Sequence, residues 1–315
     1  MTIPIFYAIS DDFTKYAAVS LHSLVKHTNP QKDYTVYFLC QDLSQQHQKD
    51  LLELGSNNVH VEFFTISDEI VAPIENRSEN YLRGEFFTMS IFYRLFIPDL
   101  FPQYDKAIYI DSDTILNDDI AKLYKTKLGN NLFGACMDSS IQYVPEMITY
   151  IKKDLALDPK TYINSGMLVL NCKAFRDERF TDHFMNLLTK YHFDCIATDQ
   201  DYLNEICEKR ILHLNLKWDA MPNENTVPLS NPSLIHYNLF FKPWHFTGIQ
   251  YEQYFWTNAK ETKFYAELKA GLDNYTNEER EEDRHKLDHM LAKSDTIAKQ
   301  PNNWAKIKEQ GPVTL

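Results

Sequence analysis

Apolar and polar positions follow two rhythms along this chain. Residues 3–9 form a short apolar run of β-formers that ends at Ser10-Asp11-Asp12, and residues 34–39 and 59–64 repeat the pattern. Between these runs, residues 16–25 carry apolar side chains at helical spacing, with Val19, Leu24 and Val25 on one side. Residues 43–54 read as a second helix, closed by Gly55. Strands alternating with helices predict a parallel α/β sheet. Residues 65–85 are polar and irregular and predict a mobile loop. A helix is expected over 86–96, stopped by Ile97-Pro98. A strand over 106–110 leads straight into Asp111-Ser112-Asp113, and further strands are expected over 132–137 and, after a turn, within 162–170. One long helix is expected over 173–191 and a shorter one over 198–207, which opens on Asp199-Gln200-Asp201. Residues 216–232 read as loop, interrupted by Pro222, Pro228 and Pro232, and 234–237 as a last short strand. The region 251–296 reads as helical. The expected organisation is therefore an α/β domain over 1–250 with a helical extension over 251–315.

The length of 315 residues suits one large or two small domains and is enough to bury a sizeable core. With 44% hydrophobic and 24% charged residues, the chain has the balance of a globular protein. The formal charge of −12 narrows the partners: it repels nucleic-acid phosphates and anionic lipid, which argues against nucleic acid. The charged stretch 277–284 reads as a solvated helix face. The 19 Tyr and 20 Phe suit pockets that stack bases or sugars, or simply an aromatic core. The five cysteines, Cys40, Cys136, Cys172, Cys195 and Cys207, show no CxxC spacing and predict reduced thiols. The start has no leader-like segment, and no apolar run reaches the length of a membrane span, so a cytoplasmic location is expected.

Three groups of residues point to chemistry. Asp111 and Asp113 lie at the end of an apolar strand, the edge at which open parallel sheets bind ligands. At i and i+2 both carboxylates can turn towards one cation, and hard oxygen ligands suit Mg²⁺ or Mn²⁺, which in turn hold a diphosphate. The bland alternative is a pair of solvated loop carboxylates. A phosphatase of the haloacid dehalogenase class is a second alternative, but Thr114 directly follows the second Asp and Ile115 occupies that class's expected Thr position. The second group is His236 with Lys242-Pro243-Trp244-His245. Neutral imidazole is a good ligand beside two carboxylates, Lys242 offers a point charge for a diphosphate, and Trp244 reads as packing. The third is Asn164-Ser165-Gly166 together with Asp199-Gln200-Asp201, amides and carboxylates of the kind that bind sugar hydroxyls; an ordinary turn and a helix cap are the alternatives.

Taken in order, the acidic first loop, Arg94, Asp-x-Asp, Asn-x-Gly, Asp-Gln and His-x5-Lys-Pro-Trp resemble glycosyltransferase family 8 over residues 3–247. The resemblance implies a GT-A fold with a mixed, mostly parallel sheet flanked by helices, and retaining transfer of a hexose from a UDP-sugar with Mn²⁺, or Mg²⁺ in its place. It implies Asp111, Asp113 and His236 as metal ligands, with Ser112 on the same donor loop. It places Ala8 and Asp11 at the uracil and ribose, Arg94 near the donor sugar, Asn164 and Gly166 at the border of the sugar site, and Lys242 on the diphosphate. Asp199 would bind sugar hydroxyls, and Gln200 would lie next to the anomeric carbon. The implied acceptor is a carbohydrate, lipid-linked or protein-linked glycan, and self-glucosylation is known within the family. Acceptor choice is expected in residues 218–232 and the C-terminal helices, for which a subunit interface or docking on a membrane-bound partner is the alternative. Three departures stand out. Leu239 occupies a place where the family often has Gly, Phe86 or Phe87 stands where some relatives carry His, and the ring that stacks on uracil is either Phe13 or Tyr16.

Overall fold

The computed structural model describes residues 2–67, 70, 74, 90–300, 303–311 and 313–315. Most of the loop expected over 65–85 lies outside the described residues, as do Phe86, Phe87 and the expected start of the following helix. The chain divides into two compact units, each assembled from three separate stretches. The first comprises Met1–Ile66, Ala107–Lys127 and Asn215–Asp283; the second comprises Ser67–Lys106, Leu128–Leu214 and Arg284–Leu315.

In the first unit, β1 (Ile3–Ala8), β2 (Tyr34–Cys40), β3 (Val59–Thr65) and β4 (Ala107–Ile110) lie in the order β3-β2-β1-β4, and every pairing is parallel. Every residue of β2 and β4 is buried, which explains their unbroken apolar sequences: strands covered on both faces have no polar face to alternate with. β3 lies at the end of this order and alternates instead, with His60 and Glu62 exposed. Charged side chains there discourage pairing with another strand. Two helices, α1 (Thr14–His27) and α2 (Gln45–Leu52), connect these strands.

A short antiparallel pair decides the chemistry of this unit. β5 (Thr114–Leu116), absent from the sequence expectations, pairs with β9 (Leu234–His236) in the register Thr114↔His236. Buried hydroxyls fix β5 in place. Ser20 Oγ lies 2.9 Å from Thr114 Oγ1 and 3.0 Å from the Tyr7 hydroxyl, while Ser23 Oγ accepts from Leu116 N at 2.9 Å. Satisfying these groups matters because an unpaired buried polar group costs about 1–3 kcal/mol.

The second unit holds α3 (Ser90–Leu100), β6 (Phe133–Met137), α5 (Pro145–Lys153), β7 (Ile163–Leu170), α6 (Cys172–Asp177), α7 (Phe180–Tyr191), α8 (Thr198–Ile206) and β8 (Ile211–His213), with α4 (Ala121–Tyr124) belonging to the first unit. Its strands run β7-β6-β8, the first pair antiparallel and the second parallel. Two expectations need correction. Residues 173–191 form two helices, because Arg179 takes a left-handed backbone (φ 53°) between them. The helix at Arg94 runs past Ile97-Pro98 to Leu100; Pro98 lacks the N–H that a helix turns towards the carbonyl four residues earlier, and the helical path resumes beyond it, with Phe101 N donating to the Ile97 carbonyl at 3.0 Å.

The expected helical region near the C-terminus is present as α9 (Glu252–Ala259), α10 (Tyr265–Asn274) and α11 (Asn277–Ile297), followed by α12 (Trp304–Lys308). Within the second unit, Trp304 is fully buried, stacked on Phe193 at 3.7 Å and edge-on to Tyr202 of α8 at 4.9 Å. All five cysteines are free and buried. Among the described residues, no helix is long and apolar enough to cross a membrane.

Candidate active site

β4 ends at Ile110, and the chain turns through Asp111-Ser112-Asp113 before β5 begins. The Thr114 hydroxyl donates to the Asp111 carbonyl at 2.8 Å and tightens this turn. The β5–β9 register then brings His236 beside it, and Tyr237 N donates to the Asp113 carbonyl at 3.0 Å. His236 Nε2 lies 3.3 Å from Asp113 Oδ1 and 3.7 Å from Asp111 Oδ2. Each of the three side chains offers one ligand atom, and these atoms lie within 4.8 Å of one another.

The donor set fits a divalent cation. Asp113 Oδ1 is buried and takes no hydrogen bond, and two carboxylates with one imidazole are the hard and borderline ligands that Mn²⁺ and Mg²⁺ accept. The second carboxylate oxygens are occupied: the Tyr109 hydroxyl donates to Asp111 Oδ1 at 2.6 Å, and Lys242 Nζ donates to Asp113 Oδ2 and to the Tyr237 carbonyl. Burial alone would raise the Asp113 pKa, but Lys242 and His236 outweigh it and hold the carboxyl well below the usual range. Burial likewise depresses the His236 imidazole, yet Asp113 and Asp219 together carry it up to about 10. The same negative field that favours a proton at Nε2 favours a metal ion there.

Asp219 escaped the sequence reading. It is fully buried, and its Oδ1 lies 3.1 Å from His236 Nδ1. Residues 216–220 run beside β9, with Ala220 N bonded to the Leu234 carbonyl and His236 N to the Ala220 carbonyl, and this delivers the carboxylate. A carboxylate on Nδ1 fixes the ring and its tautomer and turns Nε2 towards the ligand cluster. Only its place in a loop rich in Pro marked it in the sequence. Replacing Asp219 by Asn is expected to weaken Mn²⁺ affinity by about 10–100-fold, the range for lost partners of metal-bound histidines. Titration calorimetry checks this; unchanged affinity would show that Asp219 does not orient the ring.

Leu239 takes a left-handed backbone (φ 62°) and is half-buried. The residue type departs from glycine while the backbone adopts a conformation that glycine favours. Leu239→Gly is expected to stabilise the protein by roughly 0.5–1 kcal/mol, since the relief of left-handed strain exceeds the added freedom of the unfolded chain. Urea denaturation measures it, and a loss of stability would mean that the Leu239 side chain contributes more by packing than its backbone costs.

The other donor-side residues of the first unit are placed as follows. Ala8 closes β1. Asp11 Oδ1 accepts from Ser44 N at 2.8 Å and lies 2.7 Å from His47 Nδ1, so it anchors the start of α2; the Ser44 amide, ahead of other influences, lowers its pKa. Of the two candidate stacking rings, Tyr16 already stacks on Trp244 at 4.1 Å, and Phe13 is 39% exposed.

The second unit gathers the remaining candidates into one group joined by hydrogen bonds and an ion pair. Arg94 and Asp199, both buried, pair at 3.2 Å, and Arg94 Nη1 donates to the Ser165 carbonyl at 2.6 Å. Gln200 Oε1 accepts from Ser165 N at 3.1 Å, and its Nε2 donates to Asp138 Oδ2 at 3.0 Å. Asn164 Nδ2 donates to the same oxygen at 3.1 Å, while Asn164 Oδ1 accepts from Gly166 N at 2.8 Å. Asp138, fully buried just after β6, is thus the hub that fixes both amides. The sequence reading missed it, although an acid at the end of an apolar strand is the same signal that singled out Asp111. Asp201 has a different part: its carboxylate accepts from Tyr150 and Tyr162 and anchors α8.

Comparison with known proteins places these arrangements in a class. The chain shares its fold with solved glycosyltransferases. Against the bifunctional glycosyltransferase WbbM the TM-score is 0.71 at 23% identity, over 87% of this chain and 52% of that one, so the chain spans about half the length of WbbM. Against galactosyltransferase LgtC, solved with donor and acceptor sugar analogs, the TM-score is 0.68 at 19% identity, over 89% of this chain and all of that one. The fold is GT-A-like. Residues 4–248 match the description Glycosyl transferase family 8, and the chain belongs to that family. Among curated relatives, a putative glycosyltransferase of Haemophilus influenzae is 26% identical over 78% of this chain and 73% of its own length. The lipopolysaccharide 1,2-glucosyltransferase of Escherichia coli is 21% identical over 78% and 74%. The protein is an enzyme of the glycosyltransferase class, and the phosphatase alternative falls.

Proposed function

We propose that the enzyme transfers a hexose, glucose or galactose, from a UDP-sugar to an acceptor hydroxyl with retention of anomeric configuration, using Mn²⁺. The observation that carries this reading is the Asp111–Asp113–His236 cluster, oriented by Asp219 and edged by Lys242. Asp111, Asp113 and His236 would hold the ion, which when bound supplies Lewis-acid stabilisation of charge on the departing UDP. Lys242 adds a fixed positive charge to the same stabilisation. Asp199 would orient the sugar hydroxyls, and Gln200 would present its amide near the anomeric carbon.

Attack by the acceptor on the face that UDP leaves suits these residues better than a covalent glycosyl-enzyme. A nucleophilic carboxylate must be free to reach the anomeric carbon. Asp199 is instead paired to Arg94, and the Gln200 amide is held by Ser165 and Asp138. The acceptor hydroxyl's proton would then pass to the leaving phosphate oxygen.

The relative named as a lipopolysaccharide 1,2-glucosyltransferase supports a hexose donor and a cell-surface glycan acceptor; a glycoprotein acceptor and a cytoplasmic location are further parts of the proposal. The test is UDP release from a panel of UDP-sugars with and without Mn²⁺. Mn²⁺-dependent release from one donor is expected. No release and no UDP binding across the panel would overturn the assignment.

A further inference from the structure

The family match ends at residue 248, yet the Lys242 loop is fastened by residues beyond it. After Lys242 the chain folds back on itself: His245 N and Phe246 N both donate to the Lys242 carbonyl, at 3.0 and 2.9 Å. The His245 ring lies face to face on Tyr275, with centroids 3.9 Å apart and planes within 5°. Burial keeps the His245 imidazole down at about 4, so the stacked ring is neutral. The Tyr275 hydroxyl donates to Asp283 Oδ2 at 2.8 Å, and His245 Nδ1 lies 3.5 Å from the same oxygen.

Arg280 ties the assembly together. Its Nη1 donates to the Tyr275 carbonyl and its Nη2 to the Leu272 carbonyl at 3.4 Å, satisfying carbonyls at the end of α10, while its Nε donates to the His245 carbonyl at 2.9 Å. A planar guanidinium with several fixed donors can join a helix end to a loop in this way; a lysine cannot reproduce the fork. All these residues belong to the first unit. The arrangement restrains the backbone three residues after Lys242, whose ammonium must remain beside Asp113 to serve a diphosphate.

We propose that Arg280, with Tyr275 and Asp283, is a positioning clamp that presets Lys242 for the donor diphosphate, so that residues outside the family-matched region tune donor binding. This inference rests on the reading of Lys242 given above. The test titrates UDP with saturating Mn²⁺, and Mn²⁺ alone, into the wild-type chain, Lys242→Ala, Arg280→Ala, Arg280→Lys and the Lys242→Ala/Arg280→Ala double variant. Arg280→Ala is expected to weaken UDP binding by about tenfold, the scale of one misplaced charged hydrogen-bonding group, with Arg280→Lys recovering only part of it. Affinity for Mn²⁺ alone should change no more than it does in Lys242→Ala, because Lys242 is itself a partner of Asp113 and the other ligand supports are untouched. The double variant should bind UDP no more weakly than Lys242→Ala, since the clamp acts only through that lysine. Additive losses, or an unaltered UDP affinity in Arg280→Ala, would overturn the clamp. Should Arg280→Ala fail to fold, Asp283→Asn, which weakens the grip on Tyr275 and His245, takes its place with the same expected pattern. Unchanged UDP affinity in Lys242→Ala would instead remove the diphosphate role of Lys242, and the clamp with it.

Discussion

Asp113→Asn is expected to cut metal-dependent UDP release by about 100–1000-fold, the scale set by losing one preorganised electrostatic group at a reacting centre. The substitution keeps the shape of the side chain and removes its charge. That charge is engaged on both oxygens: Lys242 sits on Oδ2, and His236 Nε2 lies 3.3 Å from Oδ1. An amide there presents an N–H to one cationic neighbour or the other and offers a poorer ligand to a metal ion. Turnover and Mn²⁺ affinity should therefore fall together. Titration calorimetry with Mn²⁺ alone separates this from a folding defect, as circular dichroism of the variant should match the wild type. Full turnover with full Mn²⁺ affinity would remove Asp113 from the ligand set.

Arg94→Met is expected to show the largest loss of stability, about 3–5 kcal/mol, because it leaves the buried Asp199 carboxylate without its guanidinium. The two side chains are only 4% and 6% exposed, so water cannot take over. Methionine fills much of the arginine's volume, which keeps the cavity contribution small. Adding Asp199→Asn should return much of the lost stability by removing the unpaired charge, even though the Arg94 bond to the Ser165 carbonyl stays broken. A double-mutant cycle in urea measures the coupling. If Arg94→Met and the double variant unfold at the same urea concentration, the Arg94–Asp199 pair contributes nothing specific to this unit. Activity offers a second readout: the double variant should stay impaired, because Asp199 would no longer offer a carboxylate to sugar hydroxyls.

These two experiments probe the groups that the sequence reading named but could not assemble. Arg94 was singled out as a donor residue, and nothing in its neighbourhood along the chain pointed to Asp199 as its partner. The residue type marks His236 as a suitable ligand beside two carboxylates, and the resemblance to a family joins it to Asp111 and Asp113. The pairing that brings it there runs through β5, three residues too short to register as a strand. The long helix expected over 173–191 failed for a related reason: apolar spacing continues across the break, while the left-handed backbone at Arg179 is a feature of a single residue.

By itself the sequence determined the parallel strands of the first unit, the placement of Asp111 and Asp113 at the end of β4, and, through its ordered motifs, the family. These features are local: a strand buried on both faces must be written in consecutive apolar residues, and a carboxylate just beyond it is read from the next few positions. Tertiary structure alone decided that Asp219 stands behind His236, that Asp138 holds both Asn164 and Gln200, and that Arg280 grips the loop after Lys242. Each of these is a contact between residues far apart in the chain, set by strand register and helix packing. Hydrophobic periodicity records which face of an element is buried, and carries no information about which distant polar group that face will meet.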